Sequence, residues 1–386
     1  MQPLLSIAGA VTPPQPLLDF APQSFTRQVA LTPDVESMLQ RNCVVAVGVS
    51  GGKDSVACAL AVDRHLKSIG HTGPRLLIHA DLGRVEWKDS LPSCQRLAAH
   101  IGWELVVVRR KAGDMLARWQ GRWANNLTRY RDLSCVKLIL PWSTPSMRFC
   151  TSELKTAVIA SALKKRFDGL DILNITGVRR QESQSRSRMP VSAPMSLLER
   201  KNATGMSWNA IIEWRLDEVL ESISGSGLAL HEAYTKYGSS RVSCAFCIMG
   251  SESDLLASAG CADNQDVYRL MVELEADSTF AFQGKRWLAD VAPDLLTAPL
   301  RERIQKAKCK AVQRQDIEAE LPAHLLFAKG WPTAMPTDDE AELIASVRRR
   351  ISELMGIAAK HLTGDSVRSR YAGLMVTHAA KKAVKK

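Results

Sequence analysis

No run of apolar residues in this 386-residue chain approaches the roughly 18 that a bilayer span requires, so no membrane helix is expected. The first residues, MQPLLSIAGAVTPPQPLL, lack a basic leader and a long apolar stretch. A secretory signal is therefore not expected, and the chain reads as cytoplasmic. Residues 1–25 read instead as a disordered, Pro-rich arm. There is no internal repeat. Acidic residues are in deficit, 40 Asp and Glu against 51 Lys and Arg, for a net charge of +11. That excess suits an anionic partner such as nucleic acid, a nucleotide or an acidic protein; a merely basic surface would give the same balance. The GxxxxGK[ST] spacing of a Walker loop is absent. No cysteine follows Cys309.

What is present is ordinary for a globular chain, 46% hydrophobic and 24% charged. Nine cysteines without a leader suggest a reducing compartment, where thiols serve cores, metals or redox chemistry.

The most informative stretch is GVSGGKDS, residues 48–55. CVVAVGV before it has the composition of a buried parallel strand. After it, Val56, Ala57, Leu60, Ala61, Leu66 and Ile69 fall at helical spacing. Ser50, Gly51, Gly52, Lys53, Asp54 and Ser55 are thus expected at a strand-to-helix turn, on the carboxyl edge of a parallel sheet where ligands bind. Glycines allow close backbone approach, helix N-terminal amides favour an anion, two hydroxyls can donate and Lys53 adds charge. The turn reads as a phosphate cradle. A chance Gly-Gly turn is the plainer alternative.

SGGKDS resembles the PP-loop of the adenine-nucleotide α-hydrolase (ATP pyrophosphatase) superfamily. Further segments narrow the resemblance to the phosphoadenosine phosphosulfate reductase family: IHADLG (78–83), RFCTSELK (148–155), TGVRRQESQSRS (176–187), IIEWRLDEVL (211–220) and YTKYGSSRVSCAFC (234–247). The resemblance covers about residues 35–255. It implies an α/β fold, an open, mostly parallel twisted sheet with helices on both faces. A PP-loop domain is expected over 26–255 after a helical lead-in near Pro33–Gln40, and an α-helical extension with a basic tail over 256–386.

Leu76–Ile78 reads as a second strand ending at His79-Ala80-Asp81. Asp81 could meet ribose or adenine, or could cap the next turn, with Gly83 forming the bend. WELVVV (103–108) reads as a third strand followed by the basic Arg109-Arg110-Lys111. DILNIT (171–176) reads as a fourth, followed by Gly177, Arg179, Arg180, Glu182, Arg186 and Arg188. Arginine makes planar, bidentate contacts to phosphate or sulfate, and the family resemblance assigns that role to Arg179 and Arg186. IIEWRLDEVLESI reads as a helix leading to the cysteine loop.

Cys43 and Cys58 lie on apolar faces and read as core; Cys94, Cys135 and Cys309 carry no spacing signal. Cys150 and the CAFC pair Cys244 and Cys247 are different. Relatives bind a 4Fe–4S cluster through a cysteine pair near the first position and a later CxxC. Here the pair is reduced to Phe149-Cys150, leaving three matched ligands, with Cys261 a candidate fourth. Zinc, a redox dithiol or buried thiols are the other readings.

Reductases of the family end in a nucleophilic cysteine motif, which this sequence lacks, whereas its loop is complete. A complete loop implies ATP with its triphosphate, Mg²⁺ bridging the phosphates, Asp54 a candidate ligand, and Lys53, Arg179 and Arg186 as catalytic cations. The expected function is adenylylation with pyrophosphate release in support of sulfur transfer, with DNA or tRNA as a candidate acceptor and a sulfur or electron donor protein as partner. A sulfonucleotide reductase and a nucleotide-sensing binding protein are the alternatives. In 109–131, arginines interleave with Trp119, Trp123 and Tyr130. This is either a base-stacking surface or an amphipathic helix burying its aromatics. Lys381, Lys382, Lys385 and Lys386 could touch a nucleic-acid backbone or be solvated.

Overall fold

The computed structural model describes residues 27–328 and 330–383. The arm at 1–25 and the terminal Lys385 and Lys386 lie outside the described residues.

Strand β1 (Val44–Val49) is buried on both sides, as its unbroken apolar run requires of a central parallel strand. β2 (Arg75–Asp81), β3 (Glu104–Arg109), β4 (Ile172–Thr176), β5 (Ser192–Pro194) and β6 (Gly205–Trp208) complete an open sheet ordered β3-β2-β1-β4-β6-β5. Every pairing is parallel except β5 against β6. The chain runs outward from β1 to β3 and returns to place β4 on the other side of β1. The order therefore reverses between β1 and β4, and a crevice opens there at the carboxyl ends.

Side chains alternate across the sheet. Val45, Val47 and Val49 face α1 (Pro33–Gln40), α2 (Lys53–Ser68), α3 (Ser90–Ile101) and the helix Leu216–Ser224. Val44, Ala46, Leu76 and Ile78 face Ala160 and Leu163 on the opposite side. α1 has the bounds read from the sequence: Thr32 accepts from the Val35 N–H and Pro33 opens the first turn.

The helix read into IIEWRLDEVLESI starts later than expected, at Leu216. Ile211, Ile212 and Trp214 are spent in the core as a buried turn, and Glu218 accepts from the Arg215 N–H to start the helix there. α4 (Met115–Arg131) is the amphipathic helix, not the stacking surface: Trp119, Trp123 and Tyr130 are all buried. Trp119 packs edge-on against Trp142 and Phe282. α5 runs from Phe149–Thr151 through a π-helical turn, Ser152–Thr156, into Ala157–Arg166.

After 255 the described chain is helical, with long helices at Gln265–Ser278, Ala298–Ala319, Asp338–Met355 and Gly364–Ala383. They do not pack as a separate body. Tyr268, Ile344 and Tyr371 share one core with Met115, Trp119, Tyr130 and Phe246. Arg348 is fully buried in this core. It donates to the carbonyls of Tyr130, Arg131, Lys360 and His361, and its guanidinium stacks on the Tyr130 ring.

Candidate active site

The crevice at the β1–β4 switch is a cleft of about 600 Å³. Its floor is the ends of β1 and β4, Gly48 to Ser50 and Asn174, Thr176 and Gly177, with Ile78 and Ala80 from β2. The loop after β1 enters α2 directly, so Gly52, Lys53, Asp54 and Ser55 line one wall. Gly51 turns away from the cleft. It sits at φ +76°, and a Cβ there would meet the Ser90 carbonyl at 2.9 Å, so it shapes the turn by conformation and close approach. The Ser55 hydroxyl donates to the Gly52 carbonyl at 2.8 Å and accepts from the Ser50 N–H at 3.3 Å, pinning the loop. α2 has no side-chain cap, which leaves its first amides for a ligand or a neighbouring group.

Two of those amides are already engaged. The Ser55 N–H donates to the Gly52 carbonyl at 3.0 Å. Lys53 N–H donates to the Tyr234 hydroxyl at 3.2 Å, and the same hydroxyl accepts from the Val242 N–H at 3.2 Å. The Lys53 ammonium donates to the Ser240 carbonyl at 2.9 Å, lies 3.8 Å from Asp54 and stands over the Tyr234 ring. Burial lowers its pKa, and the Asp54 charge only partly restores it. Segment 234–247 is thus a strap tied to the phosphate loop at one end and carrying CAFC at the other.

The β4 edge supplies the arginines. Arg179 is buried and donates to Asp54 at 2.6 Å and to Gln181 at 2.9 Å. Gly177 lets β4 approach α2: a Cβ there would lie 2.4 Å from the Asp54 carbonyl oxygen. Arg186 pairs with Glu182. Burial lowers the Arg186 pKa, and repulsion from Arg241 and Arg148 adds to it. Arg188 is exposed and does not line the cleft.

Asp81 is a correction. Ile78, Ala80 and Leu82 face the cleft, so strand alternation turns Asp81 the other way. There it caps the bend by accepting from the Gly83 N–H at 2.6 Å and pairs with Arg109. The neighbouring His79, also facing away, is buried between the Val49 carbonyl at 3.0 Å and Glu86 at 3.1 Å.

Cys150, on the first turn of α5, lines the cleft with Cys244 and Cys247, although nearly a hundred residues separate the two segments. Burial pushes the Cys244 thiol up to about 12, with Cys247 adding to the rise and Lys155 opposing it. Cys261 does not join them. It is buried just after the helix Glu252–Gly260, near Tyr237 and Lys88. The four-cysteine set is therefore not assembled. Among the described residues no three His, Cys, Asp or Glu side chains form a group that could hold a metal ion. A zinc ion needs its thiolates at about 2.3 Å, which crowds them together.

Sequence reasoning missed further cleft cations. Arg148 and Lys155 come from α5 and its entry, and Arg241 from the strap. Each lies inside a segment quoted for its resemblance, so position within those segments was the available signal. Their convergence was not.

An anion cradle at a helix N-terminus, in the switch crevice of a parallel sheet, defines a nucleotide-binding α/β domain of the PP-loop type. Residues 44–264 match the phosphoadenosine phosphosulfate reductase domain, and the chain belongs to that family. No curated protein sequence matches it. Among solved structures, the U34-tRNA thiolase NcsA from Methanococcus maripaludis, with its 4Fe–4S cluster, is similar at 18% identity. The match has a TM-score of 0.35 and covers 64% of this chain and 74% of that one. No helix of the described residues is long and apolar enough to cross a membrane.

Proposed function

We propose that this chain is an ATP-using enzyme of sulfur chemistry, which adenylylates an acceptor oxygen and presents the product to sulfur in the same cleft. The observation that supports it is the convergence of the phosphate loop, Arg179, Arg186 and three cysteines on one cavity. An acceptor hydroxyl or carbonyl oxygen attacks the α-phosphorus of ATP, the bond to the β-phosphate oxygen breaks, and pyrophosphate leaves. Loop amides, Lys53 and the two arginines bear the charge that builds on the leaving phosphates. Asp54 holds Arg179 toward them, and Mg²⁺ is the expected counter-ion of the triphosphate. Sulfide from a donor then attacks the activated carbon as hydrosulfide, loses its proton and displaces AMP. Cys150, Cys244 and Cys247 are the residues that would hold an iron–sulfur cluster, which when bound would supply an iron on which sulfur can be held.

Binding ATP has a structural requirement. A phosphate on the α2 amides competes with the Tyr234 hydroxyl for Lys53 N–H, and draws the ammonium from Ser240. Nucleotide arrival thereby acts on the strap that carries Cys244 and Cys247.

Pyrophosphate release from ATP tests the reading, together with iron and acid-labile sulfide analysis of anaerobically prepared protein. Lys53→Ala is expected to lower release at least a hundredfold with the fold intact by circular dichroism. Cys247→Ser is expected to retain ATP binding and lose sulfur transfer and bound iron. Unchanged pyrophosphate release in Lys53→Ala would remove the assignment.

A further inference from the structure

Trp119, Trp123 and Tyr130 are buried, and a half-buried flank of α4 beside them carries a different set of residues. Arg118, Arg122, Asn125 and Arg129 follow one another at spacings of four, three and four, which is one continuous stripe on a helix. The stripe spans about 16 Å at the helical rise. It borders a notch of about 140 Å³ opened by Gly121, which contributes no side chain. Among the described residues Glu153, paired with Arg118, is the one carboxylate against the three arginines. Burial lowers the Arg122 pKa, and the Arg118 and Arg129 charges contribute to the lowering, as expected for guanidiniums not fully neutralised. Each arginine is anchored through part of its fork: Arg122 Nε donates to the Leu140 carbonyl and Arg129 Nη2 to that of Ser134. Among the described residues, each also keeps a guanidinium nitrogen without a hydrogen-bond partner.

The stripe adjoins the cleft. The guanidinium carbons of Arg118 and Arg122 stack over the Phe149 ring at 4.6 and 5.0 Å. Phe149 lies between Arg148 and Cys150, both cleft residues. Arg148 also lines a second, open groove of about 300 Å³ leading from the cleft mouth to Leu197. Among the described residues its side chain makes no hydrogen bond or ion pair. Cations therefore run from the flank of α4 to the thiols.

We infer that this stripe binds the phosphodiester backbone of a nucleic acid and leads it to the cleft at Arg148. A small anion needs donors that converge on one point, whereas these are strung along a helix at intervals suited to successive phosphates. With the aromatics turned inward, the contact is to backbone charge and carries no base preference. The inference rests on the proposed reaction in taking its acceptor to be a nucleic acid.

The test uses the full chain and fluorescein-labelled single-stranded DNA and RNA oligonucleotides of mixed sequence, by anisotropy at several KCl concentrations, without ATP. Gly121→Glu with Asn125→Glu places two carboxylates in the notch. Position 121 has open space for a side chain, and Asn125 is exposed, so folding should persist. The expected result is at least tenfold weaker oligonucleotide binding, a shallower salt dependence, and unchanged affinity for a non-hydrolysable ATP analogue. Gly121→Ala should bind as the parent does. Arg129→Gln gives an independent loss, with a salt slope lower by about one phosphate. Wild-type affinity in the double variant, or no binding of either oligonucleotide by the parent at low salt, would overturn the inference. Loss of pyrophosphate release in the parent, with oligonucleotide binding intact and sensitive to the notch, would instead sink the reaction and leave the track standing.

Discussion

His79 shows how much of the site is set behind the cleft. It joins the Val49 carbonyl, the last of β1 before the phosphate loop, to Glu86. Glu86 in turn bridges the backbone of Cys244, and Ala245 N–H donates to the Val85 carbonyl at 2.7 Å. Burial alone would lower the histidine pKa. Hydrogen bonds with Cys94 and Glu86 and the Glu86 charge outweigh it and push the value up to about 10. A folded-state pKa raised above the ordinary 6.5 makes the pair's contribution full below 6.5 and lost as pH rises through about 10. His79→Gln is therefore expected to cost roughly 3 kcal/mol near neutral pH, with a deficit that shrinks toward alkaline pH. Thermal melts across that range check it; a deficit independent of pH would mean that the histidine is neutral in the fold. The sequence put chemistry on Asp81 rather than on His79. Both lie on β2 and share the parity that turns them away from the cleft, and that choice of face is made by packing rather than by the local sequence.

Among elements, the meeting of β4 with the first turn of α2 is the tightest constraint at the site. Gly177→Ala forces a Cβ against the Asp54 carbonyl, and neither backbone has room to yield. The expected effect is about 2 kcal/mol of lost stability and at least tenfold weaker ATP binding, measured by melting and calorimetry. Normal ATP affinity in this variant would show that the two elements can separate freely. The sequence places Gly177 just after the fourth strand; the structure gives it the task of letting the arginine loop reach the phosphate loop. α5 shows a second limit of element-level reading. Cys150 lies in its first turn, and the π turn at Ser152–Thr156 carries no sequence signature. The opposite case is IIEWR, whose helical spacing was overruled because three of its apolar residues are needed in the core.

At the scale of the molecule, the helices after 255 and α4 stand on one another. Arg348 is the point of contact. Its guanidinium serves four carbonyls from two segments, two of them at the C-terminal end of α4, where a cation also meets the helix dipole. Arg348→Met is expected to cost roughly 3–5 kcal/mol, because four buried acceptors lose their donor together. Denaturant unfolding checks the size of the loss. Oligonucleotide binding should fall in parallel if the stripe on α4 depends on this support. A loss within about 0.5 kcal/mol, the range of ordinary surface changes, would mean that the two parts are independent.

The sequence by itself determined what neighbouring residues can enforce. The buried strand, the SGGKDS turn and the helix after it are contiguous, so composition and spacing specify the phosphate cradle. The amphipathy of α4 and the bounds of α1 are local in the same sense. Only the tertiary structure decided which distant segments complete the site. It set β4 beside β1, brought Arg148, Lys155 and Arg241 to the loop, gathered three cysteines and left Cys261 outside. Those outcomes depend on crossover order and on which face each strand residue takes, and both are settled by long-range packing of two-sided apolar elements, not by the spacing of residues along the chain.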